Sequence, residues 1–176
     1  MFYKWLILVA ILLITGSEPK HRRLRWDCFD CQTGPQYADH QKCQIADLRH
    51  WKELLNVEVK LLEAVPSVRT YMKISTRFKQ SEAYRKFLDI SFDGCRVISD
   101  LSKGTTMMAK IYNAVVKFSN QRKCPIKKGF IYYHNISIEE VLPSFLPASS
   151  ILVEVHIFRA KKTYLNVTLR GDISEI

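Results

Sequence analysis

Apolar residues recur at every second position in run after run of this chain, and that constrains its fold more than any single motif. Leu55, Val57, Val59 and Leu61 alternate with Asn56, Glu58 and Lys60; Val68, Thr70, Met72 and Ile74 alternate with Arg69, Tyr71, Lys73 and Ser75. A strand turns successive side chains to opposite faces, so each run predicts a strand with one dry face and one wet face. Val65-Pro66-Ser67 separates the two, which predicts a hairpin. Leu88, Ile90 and Phe92 against Asp89, Ser91 and Asp93 predict a third strand, and Phe130 to Asn135 a fourth. Ile151, Val153, Val155 and Ile157, followed beyond Lys161-Lys162 by Leu165, Val167 and Leu169, predict a closing hairpin.

Between Cys95 and Cys124 the period changes. Met108, Ile111, Tyr112, Val115 and Phe118 or Ser119 recur at three and four residues, the stripe of an amphipathic helix near residues 104–119. Gly94 breaks the chain before it, and Pro125 disfavours helix at the residue that precedes it. Six strands and one helix predict a mainly β fold, an antiparallel two-sheet sandwich of the immunoglobulin-like type, with the helix capping an opening between the sheets. A regular exchange of continuous apolar strands with helices is missing, which argues against a parallel α/β fold.

The chain opens with Lys4, an apolar run from Trp5 to Ile14, and small residues to Ser17. That order predicts a signal peptide over 1–17. The run is half the roughly 20 residues that a membrane span needs. About 160 residues then remain, a length that suits one domain: a cysteine-rich segment over 18–47, expected to be irregular, and a β-sandwich over 48–176. The net charge of +10 is spread along the sequence, which reads as a solvated basic face or, alternatively, as affinity for a receptor or an anionic membrane surface. An extracellular, secreted location removes intracellular nucleic acid as a partner.

Cys28, Cys31, Cys43, Cys95 and Cys124 make five cysteines. In an oxidising compartment they pair, leaving one over. A bond between Cys95 and Cys124 closes a loop of about 30 residues, worth roughly 3 to 4 kcal/mol on the chain-entropy argument. Cys43 is expected to bond either Cys28 or Cys31, the alternative being one of the central cysteines.

Cys28-x-x-Cys31 with His40-x-x-Cys43 could supply four zinc ligands. Behind a signal peptide the disulfide reading is preferred and no metal is assigned. There is no Gly-x-Ser-x-Gly elbow and no glycine-rich phosphate loop. The five histidines lie in polar or strand contexts, and His156 beside Glu154 reads as a surface pair. No catalytic residue and no cofactor is therefore assigned, and a non-enzymatic role is expected.

The remaining candidates are apolar. Met72, Leu88, Ile90, Phe92, Met107, Met108, Tyr112, Phe130, Tyr132, Val153 and Val155 are expected to face inward. Most such residues are simply core, but a sandwich whose sheets are held apart encloses an elongated apolar cavity, and ligand sites are concave and mostly apolar. Methionines on the helix would give an adaptable lining. Asn135-Ile-Ser137 and Asn166-Val-Thr168 are glycosylation acceptors, which places both on the surface.

Asp93-Gly94-Cys95-Arg-Val-Ile-Ser-Asp100, then Ile111-Tyr112-Asn113, Phe118-Ser119-Asn120, Cys124-Pro125, a Leu-Pro connection and a closing hairpin resemble a large insect family of secreted proteins. That family is catalogued mostly as a domain of unknown function. It is similar to the ML lipid-recognition superfamily, which includes the ganglioside-activator-like proteins, and it contains the insect chemosensory-protein A and B groups. The likeness runs from about Cys43 to Leu169. It implies an ML-type β-sandwich with a hydrophobic pocket and no catalysis, and for the chemosensory groups a role in detecting hydrophobic signals. The expected partner is thus a hydrophobic small molecule or lipid.

Overall fold

The computed structural model describes residues 22–48, 52–101, 106–142, 146–160 and 162–175. The segment over 1–17 lies outside them. Nine strands are present among the described residues: β1 (Arg22–Gln32), β2 (Ala38–Leu48), β3 (Lys52–Leu61), β4 (Arg69–Arg77), β5 (Arg85–Asp93), β6 (Phe118–Ser119), β7 (Gly129–Ile136), β8 (Ser149–Arg159) and β9 (Lys162–Glu175). Helices α1 (Gly94–Leu101) and α2 (Met107–Val116) fall between β5 and β6, and a 3-10 turn covers Glu139–Val141. No described helix is long and apolar enough to cross a membrane.

The strands form two antiparallel sheets, one ordered β1-β9-β8-β4-β5 and the other β2-β3-β7-β6. This is the expected β-sandwich, with three differences from the expected parts. The segment over 18–47 contributes two strands, one to each sheet, instead of an irregular lead-in. β3 and β4 do not pair: Val65-Pro66-Ser67 carries the chain from one sheet to the other, and Val65 bridges Ile126 on the way. Gly94 starts a helix rather than a loop, so there are two helices where one stripe was visible.

The period of two is obeyed where it was clearest. Leu55, Val57, Val59 and Leu61 of β3 are buried. Leu55 and Val57 pack with Trp26, Leu24, Ile151, Leu169 and Ile173 in one core cluster. Val59 and Leu61 pack with Val65, Val68, Ile131 and Tyr164 in a second. The closing hairpin of β8 and β9 is present, turning at Ala160 with φ 52°.

β1 is one edge of the five-stranded sheet, and exposed strand edges invite pairing with other chains. Here carboxylates cover it: the Leu24 amide donates to Glu139 at 3.2 Å and the Trp26 amide donates to Glu53. Between Trp26 and Cys28 the register with β9 slips by one residue. A slip of one exchanges the faces. Leu24 and Trp26 point into the core before it, and Phe29 and Cys31 turn inward after it.

That slip decides which cysteine pairs. Cys31 bonds Cys43 of β2, and Cys28, opposite Arg170, keeps a free thiol. The bond uses two of the four residues that a zinc site would have needed, and no cluster of three or more metal-ligating side chains occurs among the described residues.

Candidate functional site

The two long sides of the sandwich are closed differently. On one side β1 and β2 are the sheet edges, and Cys31–Cys43 joins them. On the other side the edges are β5 and β6, and the chain that connects them carries α1 and α2. α1 packs on β4 and β5, while α2 packs on β7, β6 and the 3-10 turn. The helical segment therefore spans from one sheet to the other.

The Asp93-Gly94-Cys95 motif makes the departure from β5 possible. Asp93 caps α1 by accepting the Arg96 amide at 2.8 Å. Gly94 passes so close to β4 that a Cβ would lie 2.8 Å from Val68 Cγ2 and 2.9 Å from Thr70 Oγ1. Its amide donates to the Val68 carbonyl at 2.8 Å. Cys95 then bonds Cys124, as expected, with Cα atoms 5.6 Å apart.

The return is tied down as tightly. Thr106 caps α2 through the Ala109 amide at 3.2 Å, and Ala109 is fully buried. Tyr112 donates its hydroxyl to the Arg122 carbonyl at 3.2 Å. The Asn120 side chain behaves as a piece of strand, donating to the Phe130 carbonyl at 2.8 Å and accepting the Tyr132 amide at 3.0 Å. The Cys124–Pro125 peptide is cis.

The five-stranded sheet on which α1 packs turns an apolar face to the other sheet. Ile90, Met72, Val155 and Val167 stand in one register row across β5, β4, β8 and β9. Leu88, Ile74, Val153 and Leu169 form the next row, and Phe92, Thr70 and Ile157 lie on the other side. The face is inward because Ile74, Val153, Val167 and Leu169 pack with β3 residues in the first cluster and Ile157 packs in the second. Yet Met72, Leu88, Ile90, Phe92 and Val155 are only half-buried and belong to neither cluster. They form an apolar strip between the sheets that is not sealed from water.

Opposite the strip, Tyr133 of β7 borders both clusters. Burial pushes its hydroxyl up to about 12, with nearby Tyr112 adding to the rise and a hydrogen bond with Ser119 opposing it. Burial likewise raises the Tyr112 hydroxyl, and Arg122 opposes the rise.

The expected site residues divide accordingly. Met72, Leu88, Ile90, Phe92, Val153 and Val155 share the inner face, and Tyr112 sits half-buried on α2. The side chains of Met107 and Met108 lie outside the described residues. Phe130 and Tyr132 do not belong to the site: Phe130 is 48 % exposed, and both lie in an outer ring ladder from His40 to His134. The inward residues of β7 are Ile131 and Tyr133 instead. Phe130-Ile-Tyr-Tyr is apolar at both phases, so alternation alone could not select one. The β-branched Ile131, better suited to a packed interior than a phenol, was the available signal.

His156 and Glu154 are not a pair. His156 meets Asn166 at 2.8 Å, and Glu154 holds Lys73 at 2.9 Å. Asn166 thus lies half-buried on the outer face of β9, and Asn135 is exposed with φ 53°. Asn135 also lines an open cleft of about 280 Å³ with Leu54, Ala114, Lys117, Phe118 and Ser137. None of the residues lining it belongs to the inner face of the five-stranded sheet.

No curated protein matches the chain. Residues 70–153, which run from β4 into β8 and carry Met72, Leu88, Ile90 and Phe92 of the strip, both helices and the Cys95–Cys124 bond, match the model of a family described as a protein of unknown function, DUF1091.

Proposed function

We infer that this is a secreted, non-enzymatic carrier that holds an apolar ligand, a lipid or long-chain hydrocarbon, between its sheets. One observation carries the reading: five apolar side chains of the inner face, Met72, Leu88, Ile90, Phe92 and Val155, are left half-buried beside two well-packed clusters. A solid core would have closed over them, because interiors pack to crystal density. Burial supplies the affinity at about 25 cal/mol for each Å² of apolar area removed from water, with no charged contact needed. Tyr112 and Tyr133 offer hydroxyls that could orient a polar end of the ligand.

Two disulfides suit an oxidising, extracellular compartment. Glycans on Asn135 and Asn166 belong to the same reading. The resemblance to the ML-type and chemosensory families adds the setting, a fluid in which apolar signals are detected.

Native mass spectrometry of the secreted protein tests the carrier. A co-purifying apolar ligand, or uptake of an apolar dye that is lost in Ile90→Trp, is the expected result. Protein that holds no lipid and excludes such dyes would sink it.

A further inference from the structure

We propose that the tip of the β4–β5 hairpin docks this protein onto an anionic lipid bilayer. The tip runs from Arg77 to Phe87: the loop from Arg77 to Tyr84 lies beyond the last β4–β5 pair, Thr76 with Arg85, and Arg85 to Phe87 are the first residues of β5. Three aromatic rings stand out of it: Phe87 is 55 % exposed, Phe78 42 % and Tyr84 36 %. Four basic residues, Arg77, Lys79, Arg85 and Lys86, accompany them against two carboxylates, Glu82 in the loop and Asp89, which holds Lys86 at 3.0 Å.

The fold places these rings in water. Ile74 pairs with Leu88, and Ser75 with Lys86, so Phe87 is the extra residue of a bulge and has no partner across the ladder. Leu88 faces inward, and its neighbour must face out. Arg77 lies 5.1 Å over the Tyr84 ring, and the Ser81 amide donates to the Phe78 carbonyl at 2.9 Å, so the loop is shaped rather than loose.

A large apolar ring exposed on a soluble surface calls for a partner when several are grouped. The charge says which. Cations that surround aromatic rings match the bilayer interface, where rings settle at headgroup level and lysine and arginine meet anionic headgroups. The inner strip starts one residue behind the tip at Leu88 and continues through Ile90 to Phe92, a reach of about 14 Å at strand spacing. A docked tip would therefore open onto the proposed ligand strip, although docking itself does not depend on that reading.

The test uses the full secreted protein and co-sedimentation with vesicles of phosphatidylcholine alone or with about one third phosphatidylserine. Wild type should bind the anionic vesicles, and raising salt until the Debye length falls from about 10 Å to about 3 Å should weaken binding. Lys79→Glu with Arg85→Glu should lower partitioning by about 25-fold, roughly fivefold for each cation removed. Phe78→Ser with Phe87→Ser should lower it about tenfold, with thermal melting unchanged because these rings are already wet. Lys127→Glu with Lys128→Glu, also exposed basic residues, should bind almost as wild type.

Equal binding to neutral vesicles, or an equal loss in the Lys127/Lys128 variant, overturns the proposal. So does a concentration-dependent dimer that Phe87→Ser abolishes while vesicles are ignored, since the occupant would then be a second copy. Apolar dye uptake, measured without vesicles, reports on the carrier separately.

Discussion

Cys31 and Cys43 are bonded across the gap between the sheets, their Cα atoms 6.0 Å apart, at the side opposite the helices. The sandwich is thus pinned at its β1/β2 side and strapped at its β5/β6 side, where Cys95–Cys124 fastens the strap. The first bond joins two sheets directly. The second joins the start of α1 to the loop before β7, so its loss should act first on the helices.

Replacing Cys95 and Cys124 together by Ser should cost about 3 to 4 kcal/mol, less if the strap stays packed through Ala109 and Val115. Retention of an apolar probe should fall at temperatures where the sheets are still folded. Dye release and far-ultraviolet circular dichroism, recorded on the same heating ramp, check the order. Coincident loss would mean that the strap serves the fold alone.

Truncation should separate strip from core. Leu55→Ala, which removes a side chain only 3 % exposed, should cost about 2 to 5 kcal/mol in urea unfolding. Met72→Ala and Ile90→Ala, made in half-buried residues outside both clusters, should cost about 1 kcal/mol each while weakening probe binding.

Alkaline pH should destabilise the fold through Tyr133. Its hydroxyl ionises near 12 when folded and near 10 when unfolded. Below 10 both states hold the proton and the contribution is fully present. Between 10 and 12 the unfolded state loses its proton first, so stability falls by an amount on the order of 2 to 3 kcal/mol. Denaturation midpoints at both ends of that window should converge in Tyr133→Phe, apart from the smaller, same-signed effects of Tyr71, Tyr112 and Tyr164.

Gly171 stands where β9 passes Trp26 of β1, and a Cβ there would lie 2.2 Å from the Arg25 carbonyl oxygen. Backbone cannot yield as a flexible side chain can. Gly171→Ala should cost about 1 to 3 kcal/mol by forcing β1 away from β9. Faster hydrogen exchange at the β1 amides would localise the damage.

How far the sequence carried depended on the range of each signal. Alternation is local, so it gave the strands β3, β4, β5, β8 and β9 and the inward faces of Met72, Ile90 and Val155. It could not say that β3 and β4 belong to different sheets, because pairing is made by hydrogen bonds to strands far along the chain. It missed β1 and β2, whose polar residues hide the period, and it turned the wrong face of β7 inward, Phe130 and Tyr132 in place of Ile131 and Tyr133, because Phe130 to Tyr133 are apolar at both phases.

By itself, then, the sequence determined the antiparallel β-sandwich and the clip between Cys95 and Cys124. Only the tertiary structure decided the partner of Cys43. The choice between Cys28 and Cys31 turned on the one-residue bulge after Trp26. A bulge exists only in the match between two strands, so neither strand's residues record it alone.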